Sequence, residues 1–222
     1  MGKSQIKSKE RVAEHGEVFT NEREINAMLD LVKDESYNIE STFLEPACGD
    51  GNFLEAILKR KLQKVDEKYG KTLTDYEKYS IVALSSIYGV ELLQDNCDTC
   101  IERLFKVYDE EYTKHLKKNA SNEVREAAKY ILKKNILCGD ALTLLKNDGT
   151  PIIFAEWKFV LGSKVKRRDF TLEKLLKTHE ASISIFDYQD GMDWDSETQS
   201  FIPAPIKEYP PTDYKEITKY EW

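Results

Sequence analysis

A ten-residue corner, LEPACGDGNF at residues 44–53, constrains the fold of this 222-residue chain more than any other stretch. The apolar segment STFLEP predicts a short strand that Pro46 ends, and the helical pattern from Asn52 to Leu62 predicts a helix that follows. The loop between them is rich in small residues, which let the backbone approach a ligand closely. The corner therefore predicts a strand–loop–helix unit with a loop that faces a ligand.

Strand and helix patterns alternate along the chain. Further strands are predicted within YSIVALSSIYGVEL (ending at Val90–Glu91), NILCGDAL (ending at Gly139–Asp140) and TPIIFAEWKFV (strand four, ending near residue 155). Helices are predicted in TNEREINAMLDLV (capped by Thr20 or Asn21), LLQDNCDTCIERLFKVYDEEY, SNEVREAAKYILKKN and FTLEKLLKTHE (capped by Asp169 or Thr171), with residues 63–78 as an exposed helix–turn insertion. This alternation predicts an α/β fold with a mostly parallel sheet flanked by helices.

Charge divides the chain into a neutral body and an acidic end. Residues 180–222 contain ten acidic residues and three lysines, which accounts for the whole net charge of −7. We therefore predict a flexible segment at 1–17, a domain at 18–179, and an acidic extension at 180–222 that packs on the domain or on a partner. A neutral body is not typical of proteins that bind DNA tightly on their own. The basic run KVKRR is a candidate for contacts to DNA phosphates, and the alternative interpretation is a solvated loop. Its candidate contact residues are Lys164, Lys166, Arg167 and Arg168.

Composition also bears on the cellular compartment. No apolar run approaches the roughly 20 residues that span a bilayer, and the N-terminus has no apolar signal region. The four cysteines are too few for a disulfide scaffold, and Cys97 and Cys100 lie within a predicted helix, so no metal site is expected there. We predict a cytoplasmic protein without a membrane segment.

Acidic residues follow three successive predicted strands. Glu45 opens the glycine-containing corner, Glu91 follows the second strand and Asp140 follows the third. A carboxylate after the second strand can accept hydrogen bonds from ribose hydroxyls, and one after the third can accept from an exocyclic amine. The helix N-terminus favours an anionic group. Together these features predict a pocket for an adenosine-containing cofactor, with three ordinary loop acids as the alternative.

The motifs resemble those of a known enzyme family. FLEPACGDGNF resembles the first motif of S-adenosylmethionine-dependent DNA adenine methyltransferases of restriction–modification systems, and HGEVFTNEREINAMLDLV resembles their G-x-V-F-T-P segment. IYGVEL and NILCGDAL resemble the second and third motifs, so the match covers about residues 15–142. The resemblance implies a Rossmann-like methyltransferase fold and S-adenosyl-L-methionine as cofactor.

The resemblance also assigns roles to residues. The F-T segment and the glycine loop would hold the methionine part of the cofactor, Glu91 the ribose and Asp140 the adenine amine. The implied cofactor-binding residues are Phe19, Thr20, Glu45, Pro46, Ala47, Cys48, Gly49, Gly51, Asn52, Phe53, Glu91, Leu92, Asp140 and Ala141.

One motif of the family is missing. The family carries [N/D/S]-P-P-[Y/F/W] after strand four, where its residues hold the target amine and stack on a flipped base. IIFAEWKF stands there instead, with Glu156, Trp157 and Phe159 as the candidate catalytic residues. The roughly 65 residues that remain predict a fold shortened at its C-terminal side.

Three functions remain open. The chain is a DNA adenine methyltransferase that acts alone or with a partner polypeptide, an inactive cofactor-binding subunit or regulator, or a methyltransferase of another substrate. Weak DNA binding by the chain alone is expected. A partner polypeptide would supply target recognition or the missing catalytic motif.

Overall fold

The computed structural model describes residues 8, 10, 11, 13, 20–180, 192–195 and 200–220. Three strands, β1 (Phe43–Glu45), β2 (Ile87–Glu91) and β3 (Ile136–Cys138), form a parallel sheet in the order β1-β2-β3. The predicted α/β class with a parallel sheet flanked by helices is confirmed for this three-stranded sheet and the helices around it. Most of the predicted segment 1–17 lies outside the described residues.

Helices pack against this sheet. From residue 20 onward the α-helices are α1 (Glu22–Leu31), α2 (Lys33–Tyr37), α3 (Asn52–Tyr69), α4 (Leu73–Ser85), α5 (Gln94–Leu116), α6 (Asn122–Asn135) and α7 (Leu172–Glu180), with 3-10 turns at Lys117–Asn119 and Tyr214–Tyr220. The main core joins side chains of α1 and α3–α6 to Ile87 and Ile136 of the sheet. Val90 packs in a smaller cluster with Ile152, Phe154 and Leu172. No helix among the described residues is long and apolar enough to cross a lipid bilayer.

Side-chain caps start several helices, two of them at residues that the sequence predicts, Asn21 and Thr171. The Asn21 side chain accepts from the Glu24 N–H before α1, and the Ser121 hydroxyl accepts from the Val124 N–H before α6. The Thr171 hydroxyl accepts from the backbone N–H of Lys174 at 3.3 Å. These caps satisfy backbone donors that have no partner within the helix.

The region between β1 and β2 differs from the prediction. α3 continues to Tyr69, and residues 79–85, the first half of the segment within which the second strand is predicted, belong to α4, while β2 ends at Glu91 as predicted. The predicted helix–turn at 63–78 is present, with a turn after Tyr69, and ten of its sixteen residues are exposed. It differs from the prediction in that Val65, Tyr76 and Glu77 are buried, so the segment is part of the packed core. Burial at Tyr76, Ser80 and Leu84 follows the i, i+4 spacing of one helix face, which outweighs the β-branched residues between them.

The fourth strand also differs. β4 (Ile153–Leu161) pairs antiparallel with β5 (Lys164–Thr171), so strand four does not end near residue 155 or join the parallel sheet. A tight turn with Gly162 at φ +59° connects the two strands, and a connection without a crossover helix requires antiparallel pairing. The two-residue strands β8 (Lys207–Glu208) and β9 (Thr212–Asp213) pair with β5. A separate hairpin contains β6 (Met192–Asp195) and β7 (Ser200–Pro203).

The end of the described chain packs on the body. Tyr214 and Ile217 are buried in the main core, and Glu77 of α4 is also buried. The Glu77 carboxylate accepts from Tyr112 Oη at 2.7 Å and from Tyr214 Oη at 3.2 Å, and Lys215 Nζ lies 2.7 Å away. A buried carboxylate with these partners fixes the C-terminal segment against α4 and α5.

A buried lysine lies at the amino ends of the strands. Lys61 of α3 is fully buried, and its ammonium group donates to Ser86 Oγ at 2.6 Å and to the carbonyl oxygen of Ile39 at 3.4 Å. It also donates to the carbonyl oxygen of Ser41. Burial lowers the pKa of Lys61 from its usual 10.5 to about 7. The cost of burying its charge therefore depends on pH.

We expect the stability of the wild type to rise with pH relative to Lys61→Met. Between pH 7 and 10.5 the unfolded chain holds this proton while the folded chain releases it. The cost is complete below this window and absent above it. The difference in unfolding free energy should change by up to about 1.4 kcal/mol per pH unit. Urea denaturation across this range measures it, with the exposed Lys64→Met as the control, and a pH-independent difference would contradict the prediction.

Candidate functional site

The carboxyl ends of the three parallel strands meet at one edge of the sheet. Glu45 lies beside Gly89, and Glu91 lies beside Cys138, which precedes Asp140 by two residues. The Cys48 N–H donates to the carbonyl oxygen of Val90, and the Gly139 N–H donates to that of Glu91, both at 2.9 Å. We call this region, formed by residues 45–52, 91–93 and 139–145, the strand-end edge. Open α/β sheets bind ligands at this position.

Two glycines give the corner its shape. Gly49 and Gly51 have φ angles of +54° and +90°, which other residues rarely adopt. A Cβ atom on Gly51 would lie 2.7 Å from Cys100 Sγ, because α5 packs directly under the loop. The spacing CGDG is therefore required by backbone conformation and by close packing, and α3 begins at the next residue, Asn52.

Glu91 joins the loop to the second strand and to α5. Its Oε2 accepts from the Gly49 N–H at 2.9 Å, and its Oε1 accepts from the Leu93 N–H at 2.9 Å and from Asn96 Nδ2 at 3.3 Å. The side chain is only 8% exposed. A carboxylate has about four lone-pair positions, so one on Oε2 has no partner among the described residues.

The other two acids are more accessible. Glu45 is half-buried, and burial raises the pKa of its carboxyl group, although a hydrogen bond from the Ala47 N–H opposes the rise. The half-buried Asp140 accepts from the Leu142 N–H at 2.8 Å through Oδ1. The Asp140–Leu145 turn is compact, with backbone hydrogen bonds at both ends and Leu144 at φ +63°. Oδ2 of Asp140 has no hydrogen-bond partner within the described residues.

Apolar side chains flank these acids. Leu92 is 48% exposed and Leu142 is 94% exposed, one directly after Glu91 and the other two residues after Asp140. Ala141, which lies between Asp140 and Leu142 in the sequence, is half-buried. Exposed leucines next to carboxylates suit a ligand that has both a flat apolar ring and polar hydrogen-bond donors.

The remaining predicted cofactor residues differ in position. Pro46, Ala47 and Thr20 are exposed, and Phe19 lies outside the described residues. Phe53 packs against the main core, which gives it a structural contact.

Three cysteines near the edge, Cys48, Cys97 and Cys100, are buried, and Cys138 is half-buried. The pKa of Cys48 is raised mainly by a hydrogen bond with Cys100 and, to a smaller extent, by burial. Burial raises the pKa of Cys97 to about 12. Protonated, buried thiols are poor nucleophiles. Within the part of the chain that the structure describes, no group of three or more His, Cys, Asp or Glu is arranged to hold a metal ion.

The structure does not bring the candidate catalytic residues to the strand-end edge. Glu156, Trp157 and Phe159 lie within β4 and line a cavity of about 520 Å³ together with Thr42 and Ser86, which directly precede β1 and β2. This is the amino-end side of the sheet. The expected position after the carboxyl end of strand four is wrong because β4 continues to Leu161 in another sheet.

Two of these residues are also occupied by internal contacts. Both carboxylate oxygens of Glu156 accept from Arg168, at 2.6 and 3.0 Å. Trp157 is 8% exposed, and its Nε1 donates to Asn135 Oδ1 at 2.9 Å. Neither side chain is free to hold or stack on a flipped base in this arrangement.

The basic run forms a strand and not a solvated loop. Within β5, Arg167 is buried and paired with Asp169, and Lys166 Nζ lies 2.9 Å from Glu208 Oε2. Arg168 is paired with Glu156, and Lys164 is exposed. Antiparallel pairing places Arg168 opposite Glu156 and Glu208, whereas the acidic partner of Arg167 is Asp169, two residues along the same strand. Three of the four cations therefore have acidic partners, and the run does not form a continuous basic surface.

Three contributors to the strand-end edge were not predicted from the sequence: Leu93, Asn96 and Arg103. Asn96 contacts Glu91, and Arg103 contacts Asp50, Asn52 and Glu55. The available signal was the spacing of Asn96, Cys100 and Arg103, which puts them on one face of a helix.

The fold and the strand-end edge define an α/β protein with a glycine loop held against a strand-end carboxylate. No protein-family model, curated protein or solved structure matches the chain.

Proposed function

We propose that this protein binds S-adenosylmethionine at the strand-end edge and serves as the cofactor-binding part of a DNA adenine methyltransferase. The observation that carries the proposal is the 2.9 Å hydrogen bond between the Gly49 N–H and Glu91 Oε2. It joins the loop of the first motif to the acid of the second motif. The parallel strand order supports a Rossmann-like arrangement of these motifs.

The charges at the edge suit this cofactor. The residues that the resemblance assigns to it include three carboxylates and no lysine or arginine. S-adenosylmethionine has a sulfonium, an ammonium group and ribose hydroxyls, which carboxylates can attract or accept from. Its carboxylate suits the backbone N–H groups at the start of α3. A nucleoside triphosphate would meet like charge at the same acids.

The candidate catalytic residues support a non-catalytic role for the chain by itself. Glu156 and Trp157 have internal partners and line the cavity on the amino-end side of the sheet. Methyl transfer needs the target amine in line with the sulfonium methyl group, and a misplacement of about 1 Å can cost about a hundredfold in rate. A partner polypeptide that supplies the acceptor motif is therefore part of the proposal.

We expect the purified chain to bind S-adenosylhomocysteine with a dissociation constant on the order of 1 μM, or about −8 kcal/mol. Isothermal titration calorimetry measures this, with ATP as the control ligand that should not bind. Tritium transfer from labelled S-adenosylmethionine to unmethylated DNA should be slow or absent in the same preparation. No binding at millimolar ligand would reject the proposed function, and rapid transfer would reject the need for a partner.

Asp140→Ala should weaken this binding by about 1–2 kcal/mol, because it removes the proposed acceptor of the adenine amine. Asp148→Ala is the matched control, since both aspartates accept a backbone N–H two residues ahead, Asp140 from Leu142 at 2.8 Å and Asp148 from Thr150 at 2.9 Å. Calorimetry on the two variants separates a ligand contact from a turn contact. Equal affinities would exclude Asp140 from the site.

A further inference from the structure

One face of α5 supports the whole glycine loop. Asn96, Cys100 and Arg103 have the i, i+4, i+7 spacing of a single helix face. Asn96 Nδ2 donates to Glu91 Oε1 at 3.3 Å, and Cys100 Sγ lies 2.7 Å from the position that a Cβ atom on Gly51 would take. Arg103 is the last of the three and reaches the far side of the loop.

Arg103 connects α5 to the loop and to the first turn of α3. Its Nη2 lies 2.6 Å from Asp50 Oδ2, and its Nη1 donates to Asn52 Oδ1 and, at 3.3 Å, to Glu55 Oε2. Asn52 Nδ2 in turn donates to Asp50 Oδ1 at 2.9 Å. The side chains of Arg103, Asp50 and Glu55 are 20%, 13% and 21% exposed, so solvent screens these charges only in part.

The ion pair of Arg103 with Asp50 is located where it can restrain the glycine loop. Asp50 lies between Gly49 and Gly51, which both have positive φ angles. Glycine has more backbone freedom than any other residue. Such a loop keeps its N–H groups in one arrangement only if a neighbouring contact restrains it. The guanidinium group provides several donors in a fixed plane, which a lysine cannot.

We propose that Arg103 is the positioning residue of the glycine loop, which it holds in the conformation that binds the cofactor. Arg103 acts through Asp50 and Asn52 and does not itself touch the ligand. The ligand part of this inference rests on the proposed function, whereas the restraint of the loop does not. Preorganisation of this kind raises affinity because less order is lost on binding.

The test compares Arg103→Met with Arg125→Met. Arg125 is a matched control because its Nε lies 2.6 Å from Asp109 Oδ1 and its side chain is 22% exposed. Arg103→Met should raise hydrogen exchange at the Gly49, Asp50 and Gly51 amides by about tenfold. It should weaken S-adenosylhomocysteine binding by about tenfold, with Arg103→Lys showing a similar loss. Arg125→Met should change neither.

Each outcome decides the proposal. Equal loop exchange in the two methionine variants would overturn it, as would unchanged affinity in Arg103→Met. If the wild type binds no S-adenosylhomocysteine, the proposed function fails, and the loop exchange alone supports or overturns the role of Arg103. Asp50→Ser removes the same ion pair from the loop side and replaces Arg103→Met if that variant does not fold.

Discussion

Glu91→Ala is expected to lower the free energy of unfolding by about 3 kcal/mol and to reduce S-adenosylhomocysteine affinity more than a hundredfold. The carboxylate is 8% exposed and accepts from Gly49 N–H, Leu93 N–H and Asn96 Nδ2. Alanine leaves these three donors without their acceptor. It also frees the glycine loop from the second strand, so the proposed ligand loses an acceptor and an ordered loop together.

Two further variants test this reasoning. Glu91→Gln keeps the volume of the side chain but presents an amide NH₂ group to donors on one side. Most of the loss in stability and in ligand affinity should therefore persist. Glu102→Ala, at an exposed position of α5, should change the free energy of unfolding by less than about 0.5 kcal/mol. Urea denaturation gives the stability, and calorimetry at a temperature where every variant is folded gives the affinity. Wild-type affinity in Glu91→Ala would remove Glu91 from the proposed site.

Asp169→Ala is expected to destabilise the fold by about 3–5 kcal/mol, because it leaves the buried Arg167 guanidinium without its counter-charge. Arg167 and Asp169 are 5% and 6% exposed and form two hydrogen bonds, of 2.7 and 2.8 Å. The guanidinium also donates to Tyr130 Oη at 2.6 Å and lies 4.5 Å from the ring centroid of Tyr209. This pair joins β5 to α6 and to the chain after β8.

The neighbouring residue in β5 provides the control. The ion pair of Lys166 with Glu208 is 32% and 47% exposed, so Lys166→Ala should cost less than about 1 kcal/mol. The double variant Arg167→Met with Asp169→Leu should be more stable than Asp169→Ala, since it buries no unpaired charge. Urea denaturation of the four proteins measures these differences. A double variant less stable than Asp169→Ala would show that packing, and not charge burial, sets the cost.

The glycine corner shows how far the sequence reaches toward the site. Gly49 and Gly51 were predicted from small residues between a strand and a helix, and both have positive φ. Glu45 and Glu91 end β1 and β2, and Asp140 lies two residues after β3, in three strands that the structure pairs side by side. Parallel strands joined by helices put their carboxyl ends on the same side, so the chain order alone predicts this grouping. That these residues bind S-adenosylmethionine stays a prediction.

What the sequence by itself determined is local: the caps at Asn21 and Thr171, the helix faces, and the strand–loop–helix corner. These depend on contacts within a few residues, which composition and spacing record directly. Only the tertiary structure decided that β4 pairs with β5, that Glu156 faces Arg168, and that Arg103 pairs with Asp50 of the glycine loop. Those contacts join residues 12 and 53 positions apart in the two ion pairs, and no local pattern specifies which distant side chain completes a charge pair. The fold determines these ion pairs, because a buried charge is stabilised only by an oppositely charged group that packing places next to it.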